Sequence, residues 1–427
     1  MKTHYSILFF IYIAIVFFSN YTLGIFHLTD VYYHKLFDTY SYLDAAKLML
    51  NGMKAHSLRC FGYAGVLTLP YTLFKLTPAF FWFIYIVQNG ILLLTFHFIY
   101  KMVAFYTNEK KAFWATFLLI INITYIVFSF HVMSEIGFLF LMIAAFYCIH
   151  LYFINQQSRN LLFSFLAICL ATLFRPGLLH FTLLFGILLA LYLLIKKKNW
   201  VAFGMVFLIF LSSIGFQAYK MQQQFGMYKI SFIDDVTLYR YLNTSTIAKI
   251  EGKDKLYLMS ERDSALYLKL KNVDSSKAFI AYHEIVKKET SDLVSNHAAN
   301  FIFAFLDNLF TNFHTGNAFI RDMPEDKILN KEIQKRLFDY TRIWNMLFVI
   351  VLALTNVFLL VLFIRKKINW SNEGSFLSTI ILIYCNYCFI TSGISYFQGD
   401  RFNVVWMPML SIFIFINFRA IKNILKV

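Results

Sequence analysis

Five ionisable side chains stand at the ends of apolar stretches, where charge is costly and tends to be functional. They are Asp38, Glu135, Arg59, Arg175 and Arg401. Asp38 opens the short segment "DTYSYLDAAKLMLNG" (Asp38 to Gly52). A carboxylate held between lipid and protein can take a proton from an acceptor hydroxyl that comes within hydrogen-bond reach. Guanidinium forks match phosphate oxygens two at a time, so the three arginines suit a phosphodiester or diphosphate leaving group. Asp44, His131 and Asp400 fall on the same inferred side of the chain.

Each of these residues also has a plain structural reading. Asp38 and Glu135 both suit an N-cap or first helical turn, where the helix dipole favours an acid. Glu135 follows "SFHVMSE", with Ser134 beside it. An arginine at a membrane end, such as Arg175 in "LATLFRPG", commonly snorkels to the interface. His131 suits a local hydrogen bond. The five cysteines include "CNYC" (Cys385 to Cys388) inside an apolar run, which reads as packing rather than a zinc site.

The elements that must position these groups are membrane helices. The chain has 427 residues, 59% hydrophobic, 20% aromatic and 15% charged, with mean hydropathy +0.61. Ten apolar stretches approach the ~20 residues needed to cross a bilayer: 5–26, 78–103, 112–131, 134–154, 160–176, 178–195, 200–219, 342–364, 375–394 and 402–420. The expected fold class is an all-α polytopic membrane protein with about ten transmembrane helices. The first stretch lacks a small-residue cleavage site and reads as a span rather than a signal peptide. Tyr63 to Leu76 carries Pro70 and is short, so it reads as an interfacial or re-entrant helix, or as the lower half of a longer span.

The net charge of +16 sits mainly in short clusters beside apolar stretches. It therefore reads as cytoplasmic flanking, with no nucleic-acid partner. Lys110, Lys196 to Asn199, Arg365 to Lys367 and the C-terminal "FRAIKNILKV" all fall on one side with ten spans, and the positive-inside rule makes that side cytoplasmic. The other side receives 27–77, turns near His131 and Pro176, 220–341, and "SYFQGDRFN" (Ser395 to Asn403). In the first of these, Tyr42, Ala45, Ala46, Met49 and Leu50 form one helical face, with Asp38 one turn earlier on it and Asp44 elsewhere. The expected organisation is 1–219 as a transmembrane module, 220–341 as a small external helical domain, and 342–427 as closing spans. Ser275 to Phe310 has helical periodicity, and the sequon at Asn243 is taken as incidental.

In order and placement these stretches resemble the C-superfamily membrane glycosyltransferases, the relatives of protein mannosyltransferases and lipid A aminoarabinose transferases. The first external loop supplies Asp38, Tyr42, Gly52, Arg59, Gly62 and Tyr63, with Phe61 and Ala64 where prolines are usual. "SFHVMSEIGF" places Glu135, "LATLFRPGLL" places Arg175, and "GDRFNVVWMPML" places Arg401 and Phe402, with Val405 in place of a proline. The resemblance covers most of the first 200 residues and the last 35 or so. It implies sugar transfer from a polyprenyl-phosphate donor to a glycan, lipid or protein hydroxyl, with inversion, at the extracytoplasmic face of a bacterial inner membrane. In that scheme Asp38 and Glu135 are catalytic, and Arg59, Arg175 and Arg401 hold the donor phosphate. Tyr42, Tyr63, His131 and Asp400 position substrate. Metal-independent transfer without a cofactor is expected, a divalent ion shared by Asp38 and Glu135 being the variant. The alternative function is a transporter or lipid flippase of envelope glycan assembly. Such proteins show repeated halves and broken helices at mid-membrane, neither of which is evident here.

Overall fold

The structure is a computed structural model that describes residues 2–24, 38–195, 200–271, 273, 277–322, 331–364 and 373–425. Among these, the regular structure is entirely helical. Among the described residues, eight helices are long and apolar enough to cross a membrane: His4–Leu23, Pro78–Tyr106, Glu135–Asn155, Pro176–Ile195, Gly204–Phe225, Lys331–Val361, Leu377–Ile394 and Gly399–Asn417. In Pro78–Tyr106, Glu135–Asn155 and Leu179–Ile195 apolar residues run round the whole circumference, as lipid-embedded helices require. Outward-facing Ile86, Leu94, Ile187, Phe207, Leu354 and Leu360 are exposed, and a bilayer is the solvent that suits them.

Two of the ten expected stretches differ. Residues 160–176 form Ser158–Phe174, 17 residues long. Residues 112–131 are not one helix. Glu109–Ile120 ends, and Thr124–Ser129 comes next as a fully buried short turn of helix. The break is at Asn122, whose buried side-chain oxygen accepts the Thr124 N–H at 3.2 Å. This asparagine competes with the helix for its own backbone donors. The chain then folds through 130–134, where Gln88 Nε2 donates to the His131 carbonyl at 2.9 Å.

Between the spans, chain packing is tied by polar pairs of the kind membrane helices use. Asn356 and Asn386 exchange amide hydrogen bonds at 2.8 Å each, and Thr172 meets Thr182 at 2.5 Å. Tyr63 to Leu76 proves to be Phe61–Phe74, a 14-residue helix that ends where Lys75 takes a left-handed backbone (φ 52°). The charge clusters 196–199 and 365–367 lie outside the described residues, as do the side chains of 418–427.

The segment between the spans is a set of short helices packed on buried Tyr239, Tyr282 and Val286. The boundaries read at 219 and 342 fall inside helices, Phe216–Phe225 and Lys331–Ile364. Ser275–Phe310 is divided at His297 into Ala278–Asn296 and Ala298–His314, and Ser275 itself lies outside the described residues. Asn243 is buried, its amide donating to Glu289 Oε1 at 3.0 Å and Thr290 Oγ1 at 2.9 Å. An acceptor asparagine so enclosed offers no sequon to solvent.

Candidate functional site

Asp38 is the N-cap residue of the helix Thr39–Leu50, but its side chain caps nothing. Its backbone is helical (φ −57°, ψ −10°), and its carbonyl alone accepts the Ser41 and Tyr42 N–H groups at 3.1 and 3.3 Å. The carboxylate is thereby free to face the protein. Oδ1 lies 3.0 Å from Arg59 Nη2, and Oδ2 lies 3.0 Å from Arg401 Nη1. Arg401 Nε in turn donates to Glu135 Oε1 at 2.7 Å. Asp38 at the N-cap position and Glu135 in a first helical turn thus join a chain of alternating charge: Arg59, Asp38, Arg401, Glu135.

Three helix ends converge here. Glu135 is the first residue of Glu135–Asn155, and Arg401 lies in the first turn of Gly399–Leu425. The buried face of Thr39–Leu50 is Thr39, Tyr42, Leu43, Ala45 and Ala46. Leu50 is exposed instead, and Asp44 pairs outward with Lys47 at 3.3 Å. Tyr42 ties the first loop to the Glu135 helix through Ser134 Oγ, 2.8 Å from its hydroxyl. The Arg59 guanidinium lies 4.4 Å from the centre of the Tyr42 ring and donates from Nε to Ser41 Oγ at 2.8 Å. A planar cation stacked on an aromatic face is one that arginine, not lysine, makes well.

The cluster opens to solvent at one point. The Asp38 side chain is 38% exposed, while those of Arg59, Arg401 and Glu135 are 11%, 14% and 0% exposed. Burial pushes the Asp38 carboxyl up, but Arg401 and then Arg59 more than reverse this and hold it far below the usual carboxylate range. Asp38 is thus firmly ionised and a weak base while both guanidinium groups engage it.

The other expected residues occupy varied places. Arg175 reaches the cluster through the Arg401 carbonyl, to which Nη1 donates at 2.9 Å, and lies 5.6 and 5.3 Å from the ring centres of Phe138 and Phe402. Tyr63 is buried edge-on to Tyr42, with ring centres 5.0 Å apart. His131 makes the local bond, Nδ1 to the Val127 carbonyl at 2.7 Å, and rests on Phe319. Its burial holds it down to about 4, so it is neutral. Asp400 is fully buried, beside the backbone N–H groups of Arg401 and Ala318 and outside the alternating chain. Asp38 and Glu135 each engage Arg401. Among the described residues no group of three or more His, Cys, Asp or Glu is arranged to hold a metal.

Several contributors were not singled out from sequence. Gln398 Nε2 donates to the Tyr241 hydroxyl at 3.1 Å, and its Oε1 lies 3.5 Å from Arg401 Nη1. Tyr241 belongs to a π-helical turn, Leu238–Asn243, of the segment between the spans. Asn312, buried on Ala298–His314, organises the turn before Arg401. It donates to the Ser392 and Ser395 carbonyls at 2.8 and 2.9 Å and accepts from the Gln398 N–H at 3.0 Å. The available signal was the pair Asn308 and Asn312, four residues apart and so on one face of the helix Ala298–His314.

No family model matches the chain, and no curated protein matches it. Among solved structures it is similar to ArnT from Cupriavidus metallidurans bound to undecaprenyl phosphate. The identity is 13%, over 95% of this chain and 77% of that one, with a TM-score of 0.38. For ArnT from the same organism in the apo state the values are 12%, 88%, 72% and 0.31.

Proposed function

We propose that the chain is a membrane glycosyltransferase that moves a sugar from a polyprenyl-phosphate donor to an acceptor hydroxyl of a glycan, lipid or protein at the extracytoplasmic face. The observation that carries this reading is the Asp38 carboxylate suspended between the Arg59 and Arg401 guanidinium groups, at the end of a bundle of lipid-embedded helices. It supplies a base with a phosphate-binding fork one hydrogen-bond length from each of its two oxygens.

The three groups work as an exchange of partners. A phosphate placed on Arg59 and Arg401 takes over their N–H groups. Asp38 then loses the contacts that hold its proton affinity down, and becomes a competent base for the acceptor hydroxyl. The hydroxyl oxygen forms its bond to the anomeric carbon as its proton passes to Asp38. The bond from that carbon to the phosphate oxygen breaks, and the oxygen leaves with the electron pair, stabilised by the guanidinium groups. Attack opposite the leaving phosphate inverts the anomeric centre. Glu135, buried and bonded to Arg401 Nε, keeps that guanidinium aimed as Asp38 lets go. Arg175 adds positive charge from behind the Arg401 carbonyl contact. In this reading the arginine side chains neutralise the leaving phosphate, without a metal or cofactor.

The test uses the purified protein in lipid nanodiscs, offered a polyprenyl phosphate and the matching polyprenol. One charge-assisted contact is worth roughly tenfold in affinity, so the phosphate lipid should be retained at least about tenfold more tightly. Cells lacking the protein should accumulate a lipid-linked sugar. Equal retention of both lipids, with unchanged lipid-linked sugars, would end this reading.

A further inference from the structure

The loop that carries Arg59 is bonded, on both sides of that residue, to parts of the chain 156 to 173 or more positions away. Ser57 accepts the Phe232 N–H through its carbonyl at 2.8 Å. Ser231 Oγ donates to the Leu58 carbonyl at 2.9 Å. Cys60 Sγ donates to the Ile230 carbonyl at 3.1 Å. The Phe61 N–H donates to Gln217 Oε1 at 3.0 Å, and Gln217 Nε2 donates to the Ile230 carbonyl at 3.0 Å. Buried backbone groups must find partners, and here a second segment of chain provides them.

Gln217 is the bracket of this arrangement. It is fully buried in the second half of the Gly204–Phe225 span. An amide in such a place is costly unless both of its ends are satisfied, and both are. The turn just before it, Leu211–Gly215, is π-helical. A π turn adds a residue to the helical circuit and rotates the residues downstream of it, and such turns concentrate at functional sites. The Phe61 and Phe216 rings, with centres 5.8 Å apart, pack beside the amide.

We infer that Gln217 is a positioning residue for Arg59, seconded by Ser231, so that the segment leaving the Gly204–Phe225 span sets where the guanidinium facing Asp38 stands. The functional half of this inference rests on the donor-phosphate role of Arg59 proposed above. The positional half does not. The helical segment between the spans thereby reaches the reaction centre twice: through Tyr241 and Gln398 on the Arg401 side, and through residues 230–232 on the Arg59 side.

Two measurements on the full-length protein test it. In Gln217→Leu, hydrogen exchange at residues 57–63 should quicken about tenfold while distant peptides stay within about twofold, because local opening alone changes. Retention of a polyprenyl phosphate should weaken about tenfold, yet in an Arg59→Ala chain the same substitution should change it by less than about twofold, the mark of two residues acting as one. Ser231→Ala, a milder change, should move both readouts in the same direction. Unaltered exchange at 57–63, or an equal affinity loss with and without Arg59, would overturn the inference. Failure of the parent protein to retain the lipid at all would instead sink the donor reading, and exchange would then decide the positional half alone.

Discussion

Arg401 reaches Asp38 across 363 positions of sequence and holds its Oδ2 at 3.0 Å, with Glu135 Oε1 at 2.7 Å from the same guanidinium. The two acids differ in what they lose if Arg401 is removed. Asp38 is part-exposed and keeps Arg59. Glu135 is fully buried, with one oxygen on Arg401 and the other without a hydrogen-bond partner. Breaking a buried pair from one side costs about 3–5 kcal/mol, because a charge is left uncompensated. Arg401→Met should therefore lower the unfolding midpoint of the solubilised protein sharply, and adding Glu135→Gln should recover much of the loss. A double variant no more stable than Arg401→Met would contradict the pairing.

Asp38→Asn should separate chemistry from folding. The side chain is 38% exposed and its amide can still accept from one guanidinium, while Arg401 keeps Glu135, so the unfolding midpoint should fall by less than in Arg401→Met. Sugar transfer should fall by about 10²–10⁴, the usual worth of a general base. Undiminished transfer at normal protein level would remove Asp38 from that role.

The alternating charges were readable because an ionisable residue at the end of an apolar run demands an account. Asp38, Arg59, Glu135 and Arg401 all announced themselves in this way. Their pairing was not readable: Arg401 and Glu135 stand 266 residues apart, and local rules assign an acid at a helix start to a cap. Tertiary guanidinium groups won that competition, leaving the cap to the Asp38 carbonyl. Asn122 was lost for a different reason, since a window of about 20 residues averages one buried polar side chain into an apolar run. Gln217 stood where apolar span passes into polar loop, and an exposed position there needs no explanation. Its burial depends on a loop that the sequence keeps far away.

His56 should give the protein a pH-dependent stability. Its Nδ1 accepts the Leu58 and Arg59 N–H groups at 3.0 and 3.2 Å, so the ring is neutral with its proton on Nε2. Burial, then the charge of Arg59, lowers it to about 4. The unfolded chain protonates first as pH falls, near about 6.5. The stability from a neutral His56 is thus fully present above about 6.5 and is lost on descending to about 4. His131, also lowered to about 4, acts in the same window. The Asp38 contribution lasts further, being lost only below the ordinary carboxylate range. The unfolding midpoint should decline between about pH 6.5 and about pH 4.5, and less steeply in His56→Asn, whose amide oxygen still accepts from the backbone. Parallel slopes in the two proteins would exclude His56 as a source.

Two glycines should respond oppositely to one methyl group. A Cβ on Gly399 would stand 1.7 Å from the Asn312 carbonyl oxygen and 2.4 Å from its carbonyl carbon. Both are backbone atoms, so no rotamer relieves the contact. Either Ala298–His314 withdraws, or the turn that Asn312 holds re-forms and carries Gln398 and Arg401 with it. Overpacking of this kind costs about 1–3 kcal/mol or more, and here it also displaces the guanidinium that faces Asp38. Gly90, in the middle of Pro78–Tyr106, has open space where its Cβ would be. Alanine there should be neutral or stabilising by up to ~1 kcal/mol, through helix propensity alone. Gly399→Ala should thus melt several degrees below the parent and lose transfer activity, whereas Gly90→Ala should match or exceed the parent in both. If the two variants melt together, Asn312 does not press on the turn, and another contact must hold Arg401 in place.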